Sequence, residues 1–309
     1  MNAEKKLKGK SNALFCVLSL VLLVVLLFPL YWILVTSLKT EQEIFRIPPT
    51  LFPSVLNTDS YAAQLQSGDF NMFQSFGIIA LSCTAIAVIL SVPASYGLAR
   101  FRFRGKKVCI LSFLITQMLP VSVILTPMFI IFKNMSLLNT YFSAILADAT
   151  IGIPFSVLIL KNYFGSIPKE LEDAASIDGC NRFSAFLRIF VPIALPGVVV
   201  CAIFSFLYAW GDLAYGMTFI QDQVNRPITA GIFNFMGQYG TKWSYLTAFA
   251  VVTIIPVALI FIFMQKYYQR PDSRRGQGVR PGKSSAEGER EFFEKPVKEA
   301  FQFQQAEAR

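Results

Sequence analysis

Residues 13–38 read ALFCVLSLVLLVVLLFPLYWILVTSL, a run with no charged side chain. A helix needs about 20 consecutive apolar residues to cross the hydrocarbon core of a bilayer. The run is therefore expected to span a membrane. It is too long for the apolar part of a signal peptide, and no small-residue cleavage site follows it. Working outward, residues 70–99, 108–132, 189–211 and 243–265 are also free of charge, and 141–160 is interrupted only by Asp148. The expectation is an all-α membrane protein with six transmembrane helices.

Bulk composition agrees. The chain is 54% hydrophobic and 15% charged, with mean hydropathy +0.51, whereas a soluble domain carries about 25% charged residues. Thirty Phe stand against no His, which removes imidazole both as a base and as a metal ligand. The +9 formal charge would suit nucleic acid only as a basic face on a soluble fold. Here the basic residues lie between apolar runs, so no nucleic-acid role is read. Cys16, Cys83, Cys109, Cys180 and Cys201 form no CxxC pair, and they indicate neither a disulfide framework nor a metal site.

Lys and Arg set the orientation, because cytoplasmic segments of membrane proteins carry the excess. Segments 1–12, 100–107, 161–188 and 266–309 hold 23 of the 28 basic residues; 39–69, 133–140 and 212–242 hold Lys39, Arg46, Lys133, Arg226 and Lys242. Both termini are thus expected in the cytoplasm. Pro29, Pro93, Pro120, Pro127, Pro154 and Pro256 fall inside the spans and predict kinks.

The loop between the fourth and fifth spans is the most informative segment. Pro168 suits a helix start, and Glu170, Glu172 and Asp173 suit the positive end of its dipole. Gly179 suits its stop. Leu171, Ala174, Ala175 and Asp178 recur three or four apart on one face. The expectation is a short cytoplasmic helix whose small residues let another surface approach. An interfacial helix without a partner fits the same pattern.

Asp173-Ala174-Ala175, then Gly179, Ile189 and Pro192, resembles the loop of ABC-importer permeases that reads Glu-Ala-Ala, three residues, Gly, nine residues, Ile-x-Leu-Pro. Asp173 stands for Glu and Val191 for Leu. Further likeness to the carbohydrate, maltose-type branch lies in 96–106, in 137–141, and in 237–243; it extends over most of 13–267. The resemblance implies a type I importer fold in the bacterial cytoplasmic (inner) membrane. It implies that Leu171, Asp173, Ala174, Ala175, Asp178 and Gly179 form a coupling helix seated on an ATP-binding subunit. It also implies a second permease subunit, two ATP-binding subunits, an extracellular solute-binding protein and a sugar substrate, with this chain forming half of the pathway.

No ATP site is read in the chain itself, so ATP would be bound by partner subunits and no cofactor by this chain. In 276–284 the position where a P-loop needs its first Gly is Gln277, and Pro281 removes a backbone amide. An ion-coupled secondary transporter is the competing reading. Such proteins place ionisable residues inside the membrane, and here Asp148 stands alone, about 10 Å from the end of its helix at 1.5 Å per residue. A membrane-embedded enzyme lacks a His, a metal cluster or paired carboxylates in the spans. Candidate pathway residues, polar or aromatic groups able to meet a sugar, are Gln117, Asp148, Trp210, Asp212 and Tyr215. Trp210 and Tyr215 also fit an aromatic belt at the membrane interface.

Residues 268–309 read differently, as a polar cytoplasmic tail with 9 basic and 7 acidic residues among 42. Its composition suits disorder. The codons for 268–280 can be chosen so that the next reading frame gives Ile-Ser-Gly-Leu-Thr-Ala-Gly-Gly-Val-Lys-Gly and a stop. Permeases of the resembled branch commonly end in a segment like Gly-Leu-Thr-Ala-Gly. A frameshift product is therefore one reading of the tail, and a native regulatory segment is the other.

Overall fold

The computed structural model describes residues 2–66, 69–221, 236–237 and 240–268. The tail beyond Tyr268, on which the disorder and frameshift readings rest, lies outside them, as do Arg226, Gln238 and Tyr239. Helix α1 spans Asn2–Ser37. It is followed by α2 (Glu41–Ile44) and α3 (Asp59–Gln66), then by α4 (Asp69–Arg100). Next come α5 (Lys106–Met118), α6 (Val121–Asn134), α7 (Tyr141–Ser166) and α8 (Glu170–Ile177). Helix α9 (Arg182–Ala185) continues through a π-helical turn, Phe186–Phe190, into α10 (Val191–Gly211). Helix α11 covers Ala214–Phe219 and α12 covers Trp243–Tyr268. A two-residue antiparallel pairing joins β1 (Met236–Gly237) to β2 (Gly240–Thr241).

Among the described residues, five stretches are long and apolar enough to cross a membrane: Cys16–Ser37, Gly77–Arg100, Tyr141–Ser166, Arg182–Gly211 and Trp243–Met264. The sixth candidate span, expected over 108–132 with kinks at its prolines, breaks more sharply than a kinked helix. It is the pair α5 and α6, bent by 104°. Pro120 has no amide to donate, and its ring pushes the preceding residue out of the helical region. Leu119 accordingly sits at φ −76°, ψ 126°, and Pro120 at φ −66°, ψ 143°. Pro29, Pro93, Pro127, Pro154 and Pro256 stay inside helices. The fourth span runs on to Ser166 and so takes in Lys161. The π turn precedes Pro192, whose missing N–H leaves the Arg188 carbonyl without its usual partner.

Helix α7 is the hub, packed against α4, α5 and α10. Nearly half of its buried positions are small: Ser143, Ala144, Ala147, Ala149, Gly152 and Ser156. Small residues let membrane helices approach until their backbones nearly touch. A Cβ placed on Gly152 would stand 3.2 Å from Ser205 Oγ and 3.7 Å from Ala87 Cβ. One apolar cluster joins Ile79 and Cys83 of α4 to Ala149 of α7, Phe206 and Trp210 of α10, and Phe249 of α12. A second, toward the other end of α7, joins Tyr96, Phe164, Phe186, Phe190 and Ala175.

The segment after α1 is organised by charge. One oxygen of the Glu43 carboxylate accepts from Thr50 Oγ1 at 2.8 Å and from the Ser54 amide and hydroxyl at 2.8 and 2.9 Å. Lys39 donates to the Thr50 carbonyl and lies 4.9 Å from the Trp32 ring centre. Glu41 accepts from the amide and hydroxyl of Ser244 at 2.8 and 2.7 Å, capping the start of α12. Gln64 donates to the Tyr245 carbonyl at 2.9 Å. The segment after α1 and the start of α12 thus meet through donors that each find a named acceptor.

Candidate functional site

Helix α8 forms where the sequence places it. The Lys169 carbonyl accepts from the Glu172 and Asp173 amides at 2.8 and 3.2 Å, and Glu170, Glu172 and Asp173 occupy the first turn, where the dipole favours acids. Its end is a complete Schellman motif. The Cys180 amide donates to the Ala175 carbonyl at 2.9 Å and the Gly179 amide to the Ser176 carbonyl at 3.2 Å. This geometry needs a left-handed residue, and Gly179 supplies it at φ +79°.

The face of α8 turns out differently from the sequence reading in one respect. Ala175, at 2% exposure, points inward among Tyr96, Phe164, Ile167 and Phe190. It anchors the helix and does not lie on its free face. Helical geometry forces the choice, since one side of a two-turn helix must pack on the bundle to hold it. Leu171, Asp173, Ala174, Asp178 and Gly179 are exposed. Two apolar side chains not singled out from sequence join them: Ile177, 86% exposed, and Phe183 just beyond the loop, 70% exposed. Exposed apolar side chains that occur singly are ordinary on a protein surface.

Under α8 lies an aromatic box. The Tyr96 ring has centroid distances of 5.6, 4.7 and 5.3 Å to Phe164, Phe186 and Phe190. Arg100, the last residue of α4, donates from Nη2 to the Ile167 carbonyl at 2.6 Å and sits 4.8 Å from the Phe190 ring centre.

The pathway candidates divide into two sets. Asp148, Asp212 and Tyr215 come together. Asp148 is 1% exposed, with Oδ1 lacking any hydrogen-bond partner. Asp212 is its electrostatic neighbour, and Tyr208 and Tyr215 share the same field. The expectation of a solitary acid is therefore corrected: Asp212, the residue just past the end of α10, is near enough to act electrostatically on Asp148. Asp212 accepts from the Tyr215 and Gly216 amides at 3.3 and 2.9 Å, capping α11. Gln117 and Trp210 instead tie helices together. Gln117 Nε2 donates to the Ile151 carbonyl at 2.9 Å, joining α5 to α7. Trp210 Nε1 donates to the Thr253 carbonyl at 3.3 Å, joining α10 to α12. Trp210 and Tyr215, at 5% and 0% exposure, pack inside the chain, so neither is a lipid-facing belt residue here.

A bundle of apolar helices long enough to cross a membrane defines a multi-pass membrane protein. The chain belongs to the family described as "Binding-protein-dependent transport system inner membrane component", whose family model matches residues 91–271. It is 34% identical over 248 residues to "Probable ABC transporter permease protein YurM" of Bacillus subtilis, covering 80% of this chain and 82% of that one. It is also 34% identical over 248 residues to "Sulfoquinovosyl glycerol transport system permease protein SmoH" of Agrobacterium fabrum, covering 80% and 87%. Among solved structures, a bacterial ABC transporter involved in the import of the acidic polysaccharide alginate superposes with a TM-score of 0.72. It shares 20% identity and covers 84% of this chain and 98% of its own; that likeness speaks for the fold. The chain is a transport permease of this family and not an enzyme.

Proposed function

We propose that the chain is one of the two membrane-spanning subunits of an ATP-driven importer that takes a sugar or glycoside from an extracellular solute-binding protein. It would sit in the bacterial cytoplasmic membrane with both termini inside, as the distribution of Lys and Arg requires. ATP is bound by two partner subunits. Closure of those subunits moves α8, and α8 moves the bundle.

The observation that carries this reading is α8 itself: a two-turn helix, closed by Gly179 and rooted by Ala175, with Leu171, Asp173, Ala174, Ile177 and Asp178 outward. A rigid element anchored on one side and free on the other transmits force between two sites. The sugar substrate is supported by the printed names of relatives such as the SmoH permease and a trehalose transport permease of Mycobacterium tuberculosis, 32% identical over 244 residues. Asp148, Asp212 and Tyr215 form the polar cluster beside which the substrate passes; Gln117 and Trp210 hold the helices that frame it.

The test is site-specific photo-crosslinking in the assembled transporter. A photoreactive residue at Ile177 is expected to crosslink to the ATP-binding subunit, identified by mass spectrometry. A probe at Ala175 is expected to crosslink only within the chain. Efficient assembly with no crosslink from Ile177 would overturn the docking role.

A further inference from the structure

We infer that Arg100 is a positioning residue for coupling, the tie through which movement of α8 reaches the core helix α4; the inference rests on the docking role of α8 proposed above. Ile167 ends α7 in extended geometry, φ −72°, ψ 128°, because Pro168 disfavours a helical residue before it. The hinge between α7 and α8 is therefore these two residues. Carbonyls in the last turn of a helix have no partner within it, and the Ile167 carbonyl, just past that turn, takes a charge-assisted bond from Arg100, 67 positions away in sequence, at 2.6 Å. The same guanidinium rests 4.8 Å from the Phe190 ring centre, in the π turn that opens α10. One side chain thus touches the hinge of α8 and two different spans.

Simple anchoring does not explain the choice of residue. Arg100 Nε is buried with no hydrogen-bond partner, as is the Tyr96 hydroxyl beside the same aromatic cluster. An orphaned buried donor is unfavourable, and an apolar side chain of similar length would fill the space without it. What an apolar side chain cannot do is hold the Ile167 carbonyl in a fixed direction from α4. Ala175 and Phe164 root α8 in the same cluster, so the helix is pinned beneath its middle and at its entry. Two pins make it move as a lever together with α4 and α10 instead of folding away at Pro168.

The test uses the complete transporter in liposomes with its solute-binding protein and equal amounts of assembled complex. Uptake and ATP hydrolysis are measured together with the Ile177 photo-crosslink. Arg100→Met keeps length and apolar packing but removes the donor. It is expected to lower sugar moved per ATP hydrolysed by about tenfold, the shift associated with losing one charge-assisted hydrogen bond. Arg100→Lys, which still offers a donor, is expected to recover most of the ratio. If Arg100→Met does not assemble, Phe190→Leu is read instead; loss of the ring beneath the cation is expected to lower the ratio about threefold. A wild-type ratio in Arg100→Met, or in Phe190→Leu where that variant is the one read, overturns the positioning role even if the complex is less heat-stable. A missing Ile177 crosslink in the wild-type complex overturns the docking reading itself and this inference with it.

Discussion

Helices α1 and α7 both cross the membrane, yet the chain treats them in opposite ways. Of the most apolar window of Cys16–Ser37, 0% is buried within the chain; for Tyr141–Ser166 the share is 67%, although the latter is the less apolar of the two. In water that order would be perverse. In lipid it follows directly, because a Leu gains nothing by leaving acyl chains for protein. Burial goes to the helix that offers close contact, small side chains and polar groups needing shelter. Helix α7 offers all three in Gly152, Ser156 and Asp148, whereas 17–27 of α1 are almost all Leu and Val.

The sharpest way to break the comparison is to put bulk into α7. Gly152→Leu would drive its side chain into Ser205 and Ala87, and overpacking of this kind costs about 1–3 kcal/mol or more. Loss of monodisperse, detergent-extracted protein is expected; a wild-type melting temperature would refute the close approach. Asp148→Asn comes next. It removes a carboxylate whose Oδ1 has no partner, and is expected to stabilise the protein by about 1 kcal/mol while slowing uptake. Higher stability with unchanged uptake would make Asp148 an incidental acid. On α1 the matching change, Leu22→Ala with Val25→Ala, is expected to move the melting temperature of the isolated chain by less than about 0.5 kcal/mol equivalent.

Smaller still is an effect of acid outside the membrane. Partial desolvation raises the Glu43 carboxyl, but the Ser54 amide, the Thr50 and Ser54 hydroxyls and the Lys39 charge together hold it below its ordinary 4.5. A lowered carboxylate stabilises the folded loop above its unfolded value and loses that contribution as pH falls through the folded value. The protection factor of the Ser54 amide, its exchange rate relative to the intrinsic rate at the same pH, is therefore expected to fall below about pH 4.5, and Glu43→Gln should remove that fall. On the frameshift reading, removing 268–309 is expected to leave uptake unchanged. Sequencing the codons for 268–280 separates a shifted reading frame from a native segment.

Much of this was legible in the sequence because it is local. Uncharged runs mark spans, and Pro168 with Gly179 brackets α8 within a residue or two at each end, since both act on their own backbone. The 104° bend was half legible: Pro120 announces a break, but its angle depends on what α5 and α6 pack against. Ala175 was read onto the free face because periodicity gives a stripe without saying which edge meets the bundle. The pairings Asp148 with Asp212 and Arg100 with Ile167 were not legible. Each joins residues more than sixty positions apart, and only the packing of α4, α7 and α10 brings them together. A basic residue closing a core helix was the available signal for Arg100, and it read equally well as part of the charge bias.

If α8 couples this chain to ATP hydrolysis, Gly179→Val should disable the transporter. Val at φ +79° is strained by about 1–2 kcal/mol and would open the Schellman closure without touching a span. In reconstituted transporter with normal membrane insertion, uptake is expected to fall at least about tenfold, through uncoupled hydrolysis or failed assembly. Uptake at the wild-type rate would mean that α8 does not couple the two.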